Sequence, residues 1–117
     1  MPRTPGAGTP PPAPRPLLPL GVAVVRGPSM RPTLWAGDRL LVRYGSAVRP
    51  GRVVVARFAD GAVVVKRADR RAGDGWWLLS DDPDADGVVD SRHRGPVPED
   101  RVLGVVVARV WPRPRRL

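Results

Sequence analysis

Apolar residues along this chain come in short, valine-rich runs, each stopped by a turn signal. Six of them read as strands: Val22–Arg26, Arg39–Arg43, Val53–Phe58, Ala62–Arg67, Trp76–Ser80 and Leu103–Trp111. Between two of them stands Asp60-Gly61, a tight-hairpin signal because glycine tolerates the positive φ such turns need. Arg49-Pro50-Gly51 marks another turn, and Arg70–Gly75 reads as a polar loop. Residues Asp81–Asp100 read as one long loop rich in Asp, Gly and Pro. A single-turn helix is expected to follow Pro28, within Ser29–Trp35. The pattern predicts a compact all-β domain of short antiparallel strands with one long late loop. Loops on a rigid sheet often carry function.

Composition agrees with that picture. The 13 glycines and 16 prolines argue against long helices, and 117 residues with 42% hydrophobic content make one modest core. Residues 1–16 form a proline-rich tail outside the fold, which leaves 17–117 as the domain.

Absent residue types exclude whole chemistries. Without cysteine there is no disulfide, thiol nucleophile or thiolate metal site, and with His93 as the one histidine no multi-histidine site can form. No metal or other cofactor is expected. The best apolar stretch near the N-terminus, Leu17 to Val25, contains Pro19 and is too short for a spanning helix of about 20 residues. A cytoplasmic protein without a stable membrane anchor is the expectation. The net charge of +9 would attract nucleic acid or anionic membrane. Compositional bias is the plainer account, because nearly every base is arginine; a nucleic-acid partner is not expected.

Two residues stand out chemically. Lys66 is the only lysine among many arginines and follows Val63, Val64 and Val65. Arginine stays protonated, whereas a lysine desolvated on such a strand can lose its proton and act as a base. Ser29 follows Gly27-Pro28, a sharp turn that would expose its hydroxyl and N–H together, as a nucleophile with its own oxyanion donor requires. Each alone is ordinary: a snorkelling lysine, a turn or cap serine.

Their surroundings are more specific. The runs GPSMRPTLWAGDRLLV, VVVKR and DSRHRGPV, in that order, resemble the type I signal peptidase and LexA-like superfamily of Ser–Lys proteases, from Val24 to Val110. The resemblance implies a signal-peptidase/LexA-like catalytic domain, with Ser29 as nucleophile and Lys66 as general base. It implies that Met30, Pro32 and Thr33 position the nucleophile, that Gly37 and Asp38 turn the chain into the next strand, and that Asp90, Ser91 and Arg92 brace the site. Three departures accompany it. The membrane anchor that precedes the serine in signal peptidases is not expected here; Gly27, two before Ser29, brings no hydroxyl to the oxyanion; and Val88, two before Asp90, stands where some members place a serine that orients the lysine. The arginine-rich composition, the block GDGWWL and the ending ARVWPRPRR further resemble the maturation proteases of nickel-type superoxide dismutases. That likeness implies a precursor protein as partner, whose N-terminal extension is removed so that a histidine with a free amine can ligate nickel. Processing of exported precursors, a self-cleaving LexA-like regulator and a non-catalytic basic binding module are the alternatives.

Three further features are read as non-catalytic. His93 lacks a triad motif. Asp81, Asp82, Asp84 and Asp86 form a solvated acidic loop without a calcium loop's closing glutamate. Trp76 and Trp77 face opposite sides of a strand, one toward the core and the other toward a substrate cleft.

Overall fold

In a computed structural model, residues 19–117 are described; the tail at 1–16 lies outside them. Eight strands make one antiparallel sheet: β1 (Leu20–Val24), β2 (Arg39–Tyr44), β3 (Val53–Arg57), β4 (Val63–Ala72), β5 (Gly75–Leu79), β6 (Val97–Pro98), β7 (Val102–Trp111) and β8 (Arg115–Arg116). Their order is β1-β2-β7-β3-β4-β5-β6, with β8 beside β7. The one α-helix described, α1, is a single turn at Ser91–Arg94, and a 3-10 turn covers Glu99–Arg101. This is the all-β fold that the valine runs imply.

β3 shows why those runs lack polar alternation. Val53 and Val55 enter a core with Val25, Met30, Leu34, Leu40, Val42 and Val106. Val54 and Ala56 enter a second core with Phe58, Ala68, Trp76, Leu78, Val97 and Val105. Successive side chains of a strand point to opposite faces. A strand buried on both faces must therefore be apolar throughout, as central strands of covered sheets are.

Two expected loops contain regular structure. The stretch at Arg70–Gly75 is the end of a hairpin, because β4 runs on to Ala72 and pairs Arg71 with Trp76 and Arg70 with Trp77. Each guanidinium lies 4.9 Å from the ring centroid of the tryptophan opposite, a cation–π pair that seats arginine in a strand. Only Gly73 and Asp74 remain as the turn. Likewise, the long loop after β5 holds α1, β6 and the 3-10 turn. Gly75 lets β6 approach: a Cβ there would collide with the Val97 carbonyl.

Candidate active site

The chain leaves β1 at Val24 and is held at once by two backbone bonds, Val25 N–H to Asp38 C=O (2.9 Å) and Gly37 N–H to Val25 C=O (2.8 Å). Gly37 has φ +95°, a backbone conformation that the Gly-Asp turn requires and side chains disfavour. Asp38 is buried; its Oδ2 accepts from the Trp35 N–H at 2.9 Å, and Arg109 Nη1 lies 3.5 Å away. Between these anchors, residues 29–33 form consecutive turns. They include one helical-type bond, Leu34 N–H to Met30 C=O, which is not continued into a helix. Met30 and Leu34, four residues apart, both plug the first core. Ser29 is thereby left half-buried at the surface of a rigid turn, with Gly27 and Pro32 exposed around it.

Lys66 lies on β4 opposite Val54 and is only 3% exposed. Its Nζ donates to Ser80 Oγ at 2.9 Å. Burial pulls its pKa below the ordinary lysine value; the Asp90 charge opposes that and the Arg92 charge adds to it. Ser80 is in turn fixed by its N–H, which donates to Asp90 Oδ2 at 3.0 Å.

Asp90 caps α1. Its Oδ1 accepts from the Arg92 N–H and Nε, and its Oδ2 from Arg92 Nη2 at 3.0 Å. The carboxylate is fully buried. Burial alone would raise its pKa, but the Arg92 and Ser80 hydrogen bonds outweigh this and lower it to about 2. Ser91 Oγ accepts from the Leu78 N–H at 2.8 Å. Alternate N–H groups of a strand point to the same side. Ser91 and Asp90 therefore satisfy the N–H groups of Leu78, in β5, and of Ser80, just beyond it, on an edge that β6 does not reach.

Asp81 ties the two halves of the site together. It accepts from Thr33 Oγ1 at 2.6 Å, in the Ser29 turn, and in bidentate fashion from Arg67 Nε and Nη2 at 2.9 and 2.6 Å, beside Lys66. Burial raises its pKa, yet these bonds hold it below the usual value. The Asp82 N–H donates to the Ser29 carbonyl at 2.8 Å. The start of the acidic stretch is thus structural rather than a solvated loop.

Ser29 and Lys66 line one cleft of about 650 Å³, whose walls are β1 with the Ser29 turn, residues 63–66 of β4, and Asp86–Val89. A Peptidase S24-like family model matches residues 15–107. The chain belongs to the S24-like peptidases. It is also 35% identical over 119 aligned residues to the mitochondrial inner membrane protease subunit 1 of Schizosaccharomyces pombe (strain 972 / ATCC 24843), covering 80% of this chain and 74% of that protein. Together these make it a serine protease of the signal-peptidase type.

Most of the remaining residues singled out in this S24-like peptidase lie outside the cleft. Val88 lines it, but the lysine's partner is Ser80, on a different segment from the one two residues before Asp90. His93 Nδ1 accepts from the Asp90 N–H at 3.3 Å, closing the capping box of α1. Trp77 does not line the cleft; it stacks under Arg70, and Trp76 is core. Among the described residues no group of three His, Asp or Glu is placed to hold a metal, and no helix is long and apolar enough to cross a membrane.

Proposed function

We propose that the chain is an endopeptidase whose nucleophile is Ser29 and whose general base is Lys66. The observation that carries this reading is the lysine ammonium buried against Ser80 in the cleft that Ser29 lines. Burial favours the neutral amine, which a base requires. The amine takes the Ser29 Oγ proton as that oxygen bonds to the scissile carbonyl carbon. The Ser29 N–H faces the developing oxyanion. The lysine then gives its proton to the leaving amine, and the same amine deprotonates the water that hydrolyses the ester.

The cleft suits an extended peptide. Among the described residues β1 ends the sheet and β5 pairs with β4 only from Arg67 onward, so both β1 and residues 63–66 of β4 offer backbone to the cleft that no described strand pairs. A substrate strand between two such edges gains main-chain hydrogen bonds, as in other strand-addition complexes.

For the substrate, the resemblance to nickel superoxide dismutase maturation proteases favours that dismutase's precursor, cut in the cytoplasm to free its N-terminal histidine. The similarity to an inner-membrane protease subunit favours a second reading, processing of exported precursors. A detergent-free cleavage assay separates them. Wild type, Ser29→Ala and Lys66→Ala are mixed with each precursor, and mass spectrometry reads the new N-termini. A cut that needs both residues and frees the dismutase histidine supports the first reading; a cut in the secretory precursor alone supports the second. If Ser29→Ala cleaves like wild type, the proposed nucleophile is wrong.

A further inference from the structure

The cleft carries charges that proton transfer does not use. Besides Lys66, its charged lining residues are Arg26, Arg57 and Arg94, against one carboxylate, Asp86. Arg94 is engaged, with Nη2 3.0 Å from Asp60 Oδ2 and its guanidinium over the Phe58 ring. Arg26 and Arg57 enter no ion pair among the described residues. A concave site lined by one sign of charge concentrates its field and attracts the opposite sign.

The register locates Arg57. Val54 pairs with Lys66 and Arg57 with Val63, so Arg57 is three residues from the lysine along the β3–β4 ladder. At about 3.3 Å per residue that is about 10 Å. A peptide strand bonded to the free edge at residues 63–66 advances at the same rise. When its scissile bond is level with Lys66, its residue about three positions away is level with Arg57.

We infer that the substrate is an extended peptide carrying an aspartate or glutamate about three residues from the cut bond, received by Arg57. This rests on the protease reading above. A basic residue at that position meets Arg57 and, nearby, Arg94, and is rejected.

The test uses the full chain and a randomised peptide library, with cut sites read by mass spectrometry. One cleaved sequence is then resynthesised with Glu, Gln or Lys at each position out to five on either side. The expected result is Ser29-dependent cutting, with Glu favoured over Lys by about fivefold in kcat/KM at one position near three residues from the bond, fading as salt is raised. Arg57→Glu inverts that ratio, and Arg57→Gln brings it near one. Binding of the labelled Glu and Lys peptides to the Ser29→Ala chain gives the same order without turnover. Ser29-dependent cutting with no preference for Glu at any position, or a preference unchanged in Arg57→Gln, overturns the inference and leaves the protease standing. If no library peptide is cut by the wild-type chain, both readings fall.

Discussion

Ser80 stands one step beyond the last β4–β5 pair, directly across from Lys66, with its Oγ 2.9 Å from the lysine Nζ. The ladder starts at Ala72 opposite Gly75, shifts by one residue between Ala68 and Arg70, and then sets Arg67 opposite Leu79. The bulge decides the lysine's neighbour. Without the shift, Asp81 would face Lys66, and a carboxylate there would hold the ammonium charged. A hydroxyl accepts the same hydrogen bond without fixing the charge.

Ser80 is therefore expected to position the proposed base. Ser80→Ala should lower kcat/KM by about 10- to 100-fold, the scale of misplacing a reacting group by about 1 Å. Folding should change little. Ser80→Thr, which keeps the hydroxyl, should recover most of the loss, and the pH–rate profile should shift in the alanine variant alone. A loss equal in both variants, tracking a fall in Tm, would mark Ser80 as structural only.

The strands were legible because β-branched runs between turn residues leave little choice, and Ser29 and Lys66 stood out by motif and by the lysine's solitude. Ser80 was not legible. Its role depends on a one-residue bulge, and β-ladder register past a bulge cannot be counted from sequence. Asp81 was hidden differently: among Asp82, Asp84 and Asp86 it looks like one of a solvated set, and only tertiary contact to Thr33 and Arg67 distinguishes it. Arg70 and Arg71 were mistaken for loop residues because polarity signals a loop unless an aromatic partner lies across the strand.

Lys66 should trade stability for activity. Its folded pKa lies below the unfolded value of 10.5 because burial penalises the charged form. The unfolded chain therefore binds the proton more tightly, and stability rises with pH from the lowered folded pKa up to 10.5. Activity should rise as pH passes through the lowered folded pKa and level off above it, since the neutral amine is the proposed base. Lys66→Met should be inactive yet more stable at neutral pH by about 1 kcal/mol. Lys66→Arg should be inactive as well, because arginine keeps its proton. Chemical denaturation and a pH–rate profile check these outcomes; wild-type turnover by Lys66→Arg would remove the lysine from the mechanism.

Asp90 behaves oppositely. Its pKa falls from 3.8 unfolded to about 2 folded. The stability it adds is fully present above pH 3.8 and disappears as pH drops through about 2. For this buried carboxylate the shift corresponds to about 2 kcal/mol. Asp90→Asn also leaves Arg92 and the Ser80 N–H with a neutral, weaker acceptor, so a loss of about 3 kcal/mol at neutral pH is expected. The gap between wild type and Asp90→Asn, measured by denaturant unfolding, should narrow as the pH is lowered toward 2. A gap independent of pH would mean the carboxylate is not held ionised by the fold.

Asp81 joins the turn that carries Ser29 to the strand that carries Lys66, so cutting either of its bonds should cut the same connection. Thr33→Val removes the hydroxyl donor, and Arg67→Met removes the bidentate guanidinium. Each should lower kcat/KM by about tenfold by loosening the distance between the proposed nucleophile and base. Because both act through one carboxylate, the double variant should lose less than the product of the two, with a coupling of about 1 kcal/mol. Asp81→Asn should approach the double variant, since a neutral amide keeps the shape but weakens both charge-assisted bonds. The measurement is a double-mutant cycle on kcat/KM, with Tm recorded for every variant. Additive losses would mean that Thr33 and Arg67 support the site separately and that Asp81 does not link them.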